Sequence, residues 1–123
     1  MPVFLLRGLS MPISPIPRSL LPHTATLKKV TGVDARGKPT YAANQTLNYV
    51  RFETARKNAL TALGEQRNDL GLLFFDMQNS LPSGTTFAVN DQIVFGGRTF
   101  TIREVTPEYT VYGNPHHYEV ALV

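Results

Sequence analysis

Two adjacent histidines, His116 and His117, are the first residues in this chain that invite chemistry, with His23 as a third imidazole far upstream. Imidazole nitrogens ligate transition metals and move protons near neutral pH. Adjacent residues on a regular strand point to opposite faces, so the pair is not expected to close on one ion, and no carboxylate is read at ligand spacing beside it. The carboxylates Asp69, Asp76, Asp91, Glu104 and Glu119 are scattered over strand ends and polar faces, where turn capping and solvation account for them. Serine and threonine are plentiful, but there is no GxSxG elbow and no phosphate-binding glycine loop. Cysteine is absent, which removes thiolate nucleophiles, thiolate metal sites and disulfides. These patterns point to no enzyme, no cofactor and no metal site.

Cationic residues offer a second chemistry. Arg56, Lys57 and Arg67 fall within one stretch, Thr54 to Asn68, and could meet phosphates by charge alone. Small barrels of the OB type also stack bases on aromatic side chains, and Tyr41, Tyr49, Tyr109, Tyr112 and Tyr118 are available. The net charge is only +3, however, and the basic residues are interleaved with acids. An OB- or SH3-like barrel that binds nucleic acid without sequence preference therefore stands as the alternative function.

The elements that would position these groups read as strands. In NDQIVFGGRTFTIREV, Gly96-Gly97 tolerates the positive φ angles of a two-residue hairpin turn. That loop sets Phe95 opposite Arg98, Val94 opposite Thr99, Ile93 opposite Phe100 and Gln92 opposite Thr101. Ile93, Phe95, Phe100 and Ile102 then share an apolar face, the scaffold of a core. Upstream, His23 to Thr31 reads as a strand with Ala25, Leu27 and Lys29 on one side. A turn at Asp34 to Lys38 and a strand from Thr46 to Glu53 complete a first hairpin, with a long connection through Pro39 to Gln45. DLGLLFFD, residues 69–76, reads as a strand buried on both faces, with Gly71 marking a bulge or a close backbone approach. After Val105, TPEYTVYGNP reads as a loop, and HHYEVALV closes the chain as a strand. The sum is an all-β fold, a small barrel or sandwich of six or seven strands.

Two segments stand outside that pattern. Residues 1–22 hold five of the nine prolines and form an extended arm ahead of a barrel domain at 23–123. Its apolar residues make it sticky, so Pro15, Ile16, Pro17, Arg18, Leu20 and Leu21 are expected to dock on a neighbouring subunit. Residues 54–68 form an insert, a long loop or a short helix striped by Ala55, Ala59, Leu60, Ala62 and Leu63 that would cap one barrel end; inserts of this length are usually functional or mobile. The apolar run Val3 to Leu6 is too short for a signal peptide, and no stretch is long enough to span a membrane. Met11 is a plausible alternative start to Met1.

The order IPRSLLPHTATLKK, a DxxGK turn, LNYVRFE, LLFFDMQNS, the VNDQIVFGGRTFTI hairpin and HHYEVALV resembles the minor capsid protein family of tailed bacteriophages, over residues 12–123. The resemblance implies a virion protein at the head-tail interface, assembled in the bacterial cytoplasm. It implies a homo-oligomeric ring, of six or twelve copies, between a portal-proximal adaptor ring and a tail-proximal or tail-terminator ring. It further implies a head-completion or stopper protein around packaged double-stranded DNA. On this reading the insert projects into the channel, where Arg56, Lys57 and Arg67 would touch phosphates, or toward a partner ring, and the arm laces adjacent subunits or grips the adaptor.

Overall fold

Strand alternation and tight turns carry this fold from sequence to barrel. The computed structural model describes residues 14–54, 59–60, 66–67, 70–109 and 113–123. Within them the strands are β1 (His23–Lys28), β2 (Val30–Val33), β3 (Pro39–Tyr41), β4 (Gln45–Thr54), β5 (Ala59–Leu60), β6 (Gln66–Arg67), β7 (Gly71–Asp76), β8 (Gln92–Phe95), β9 (Arg98–Tyr109) and β10 (Pro115–Leu122). A single 3-10 turn, Arg18–Leu20, precedes them. Six strands close a barrel in the order β9-β10-β7-β4-β1-β8, every neighbour antiparallel, with β8 pairing back onto β9. The remaining four strands form two ribbons, β2–β3 and β5–β6. No described helix is long and apolar enough to cross a membrane.

The β8–β9 hairpin adopts the expected register at all four pairs. Gly96 and Gly97 have φ of 60° and 76°, the two positive angles that a type I′ turn requires. Ile93, Phe100 and Ile102 enter the core beside Ala25, Leu27, Leu47, Val50, Leu73, Phe75, Val120 and Leu122, with Phe95 packed against it. In β4 the period of two breaks, because Leu47 and Val50 are three apart and both buried. A bulge resolves this. Ala25 faces Leu47 and His23 faces Val50, so Asn48 and Tyr49 together oppose Thr24. Tyr49 takes the extra residue's positive φ, 57°.

Several expectations are corrected. The first strand ends at Lys28, because the Lys29 ammonium turns toward Asp91 (3.2 Å), and Val30 starts a separate ribbon. The partner of β1 is β4 directly, so the chain between them is a two-stranded excursion and not a soft connection. β7 is not buried on both faces: Gly71, Leu73 and Phe75 are buried, whereas Leu72 and Phe74 are half-buried. The stretch read as a loop after Val105 is largely strand, since β9 runs to Tyr109 and pairs with β10 from Pro115 onward. Past Thr101, β8 no longer pairs with β9, and a strand with one neighbour accommodates Pro107. In the insert, β5 and β6 pair as a ribbon, so a helix does not run through those residues.

Gly71 makes the close approach that its sequence context suggests. A Cβ there would stand 2.6 Å from the Phe52 ring. That ring is stacked on Phe95 (4.5 Å) and tilted against Phe100 (5.3 Å), so it has little room to yield. Gly71→Ala is therefore expected to destabilise the barrel by about 1–3 kcal/mol, the range for an overpacked core. Urea denaturation measures it, and adding Phe52→Leu should recover part of the loss in a double-mutant cycle.

Candidate interaction site

A buried carboxylate at the end of β7 gathers three separate parts of the chain. Asp76 has no accessible surface. Its Oδ2 accepts the N–H groups of Gln78 (3.0 Å) and Asn79 (2.8 Å), closing the turn that follows the strand. Its Oδ1 accepts the N–H of Ile16 in the arm, at 3.0 Å. Asn79 completes the clamp by donating Nδ2–H to the Ile16 carbonyl at 2.8 Å. Ser80 links the turn to β4: its Oγ accepts the Asp76 N–H at 2.9 Å and donates to the carbonyl of Tyr49, in the bulge. Within Pro15-Ile16-Pro17 the two prolines have no N–H, so Ile16 carries the one donor available to Asp76.

The arm is held at further points along its length. Arg51 Nη1 reaches the Leu20 carbonyl at 3.4 Å, and Leu21 is buried to 1% exposure. The Arg18 guanidinium lies 4.1 Å from the centroid of the Tyr49 ring. Ile16, Leu20 and Leu21 line a mostly apolar groove with Phe74, Arg51 and Glu53. That contact accounts for the apolar outward residue Phe74 on β7. The arm residues that the sequence assigns to subunit docking, Pro15, Ile16, Pro17, Arg18, Leu20 and Leu21, thus lie along their own barrel from Ser14 onward.

The two histidines overturn their expected geometry. Their rings meet edge-on with Nδ1 atoms 2.8 Å apart, because β10 bulges where Glu108 faces His117 and Tyr109 faces Pro115. The extra residue, His116, is re-aimed toward its neighbour. His116 Nε2 contacts the Ser14 carbonyl at 2.7 Å, and His117 Nε2 contacts Glu119 at 3.1 Å, so a carboxylate does stand beside the pair. Both end partners only accept, so each Nε2 must donate. The central contact then needs one Nδ1–H and one bare Nδ1. Among the described residues, no three His, Asp or Glu side chains are grouped to hold a metal ion.

The candidate nucleic-acid residues do not come together in the described part. Arg56 and Lys57 lie outside the described residues, as does Tyr112, and Arg67 is placed by its backbone in β6. Tyr118 packs against the core and Tyr49 sits beneath Arg18. Lys29, Arg51 and Arg103 each lie within 4 Å of a carboxylate, at 3.2, 2.8 and 3.4 Å. Sequence reasoning gave Asp76 a turn-capping role, which it fills, but missed its bond to Ile16 and the parts played by Asn79, Ser80 and His116. The available signal was local: an aspartate at a strand end followed by Gln, Asn and Ser, an Asx-turn pattern.

Comparison with known families matches the chain to the family model described as minor capsid protein, over residues 17–122. The matched span covers the barrel and begins inside the clamped arm. No curated protein matches the chain.

If the clamp holds the arm, Ile16→Pro removes the N–H that Asp76 binds while leaving an extended backbone. The variant should lose about 1–3 kcal/mol, the cost of an unpaired buried acceptor, and trypsin should cut after Arg18 faster than in the parent chain. Equal cutting rates in limited proteolysis would rule out a clamp of this kind.

Proposed function

The chain belongs to the minor capsid protein family of phages, a structural component of the virion, and from that premise we propose that it forms a ring in the neck between head and tail. In this reading the protein is a head-completion or stopper protein that retains packaged double-stranded DNA. The ring sits between a portal-proximal adaptor and a tail-proximal or tail-terminator ring.

One observation carries the reading: two excursions leave the barrel from opposite ends of the same strand. The β2–β3 ribbon enters β4 at Gln45, and the insert bearing β5 and β6 leaves it at Thr54. At about 3.3 Å per residue, the ten residues of β4 separate the two exits by roughly 30 Å. A closed barrel has no sheet edge to offer a partner, so contacts fall to what projects from it. A ring needs one contact to its neighbours and another to what passes through it, and opposite exits allow both. The insert, with Arg56, Lys57 and Arg67, then faces the channel and meets phosphate by charge.

A free nucleic-acid-binding barrel is the competing class. The carboxylates beside Lys29, Arg51 and Arg103 reduce the cationic surface it would use. The purified chain is accordingly expected to leave a short DNA duplex unretarded in a low-salt gel shift, and retention that fades with salt would favour the competing class. For the stopper role itself, particles carrying Arg56→Ala, Lys57→Ala and Arg67→Ala together should assemble heads whose DNA becomes accessible to nuclease. Full nuclease protection in those particles would count against gating by this insert.

A further inference from the structure

The arm uses only the outer nitrogen of His116, so the meeting of two imidazoles in the β10 bulge has no part in holding it. A neutral imidazole carries a single N–H. His116 commits its own at Nε2 to the Ser14 carbonyl (2.7 Å), and His117 commits its own at Nε2 to Glu119 (3.1 Å). The two Nδ1 atoms, 2.8 Å apart, then aim bare lone pairs at each other. That meeting is favourable only with positive charge between them, which a proton or a metal cation can supply.

The surroundings are those of a metal-ligand pair. Metal-binding histidines donate their other ring N–H to a carboxylate or a backbone carbonyl, which fixes the tautomer and the ring plane. Glu119 does this for His117, and the Ser14 carbonyl does it for His116. The local field is acidic as well. Glu108 on β9 and Asp76 on β7 both stand opposite His117 in the ladders, so they share its face with Glu119. Neither β7 nor β10 contains a lysine or an arginine. The His117 side chain is 18% exposed, sheltered from solvent yet open to an ion.

We propose that His116 and His117 bind one divalent cation through their Nδ1 atoms, and that the ion is of the copper(II) or nickel(II) type. At the ~2.0–2.1 Å bond of a metal-bound imidazole, nitrogens 2.8 Å apart subtend about 90° at the metal. That is the square-planar or tetragonal angle which copper(II) and nickel(II) favour. Tetrahedral zinc would hold the same atoms about 3.3 Å apart. No third His, Asp or Glu side chain is grouped with the pair among the described residues, so water takes the remaining positions. A cation on Nδ1 makes the His116 Nε2–H a charge-assisted donor. The ion therefore tightens the hold of β10 on the Ser14 carbonyl, whether or not the chain forms a ring.

Isothermal titration calorimetry of the untagged full-length chain with nickel chloride is expected to show one ion bound per chain. The double variant His116→Ala, His117→Ala should lose that binding. Glu119→Ala keeps both ligands and should weaken it by about 10–100-fold, the usual cost of removing such a supporting partner. Circular dichroism melts confirm that each variant folds. Nickel should also slow trypsin cleavage after Arg18 in the parent chain and leave the rate in the double variant unchanged. No binding by the parent chain, or equal binding by the parent and the double variant, would overturn the site.

Discussion

Closure of the barrel is the constraint on which the rest of this structure depends. It is made by a short seam, the pairing of Thr26, Leu27 and Lys28 with Val94, Ile93 and Gln92. Without that seam the six strands would be an open sheet with two hydrogen-bonding edges. With it, the side chains of alternate positions converge on one interior, where Leu27 and Ile93 from the seam itself are fully buried. Closing six strands into a barrel also crowds the backbone, and the accommodations are visible. Gly71 makes room for Phe52, Tyr49 takes a left-handed conformation in the β4 bulge, and β9 and β10 carry register shifts of their own.

These irregularities are also where the barrel meets the arm. The bulge at Asn48 and Tyr49 turns the Tyr49 carbonyl toward Ser80, and Ser80 holds the turn whose aspartate grips Ile16. The bulge in β10 turns His116 toward the Ser14 carbonyl. Departures from strand regularity are thus used to bind a segment that has no strand partner of its own. Charges follow the same economy: Asp91 is buried, and it fastens the root of the β2–β3 ribbon through Val30 and Lys29.

Much of the architecture was legible in the residues. The β8–β9 register followed from Gly96-Gly97 and the apolar alternation on either side, because turn length and period act locally. The all-β class and the family were legible for similar reasons: short strands, frequent turn residues and a distinctive run of segments. What could not be read was long-range. The two histidines were assigned to opposite faces because a strand period of two was assumed, and the bulge that overrides it depends on pairing with β9. Asp76 looked like an ordinary strand-end carboxylate, since its contact with Ile16 joins positions sixty residues apart. Phe74 seemed to require a second buried face on β7, where the structure supplies the arm as a partial cover.

The clamp holds the arm by its backbone: Asp76 and Asn79 bind the amide and carbonyl of Ile16, and His116 binds the carbonyl of Ser14. Recognition of this kind places the sequence constraint on the receptor and very little on the ligand. Side chains at positions 14, 15 and 17 can drift in evolution without loosening the grip, provided that position 16 keeps its amide hydrogen. Asp76 and Asn79 have no such latitude. A chain of this design can recode the outer surface of its arm for a changed neighbour while the attachment beneath it stays the same.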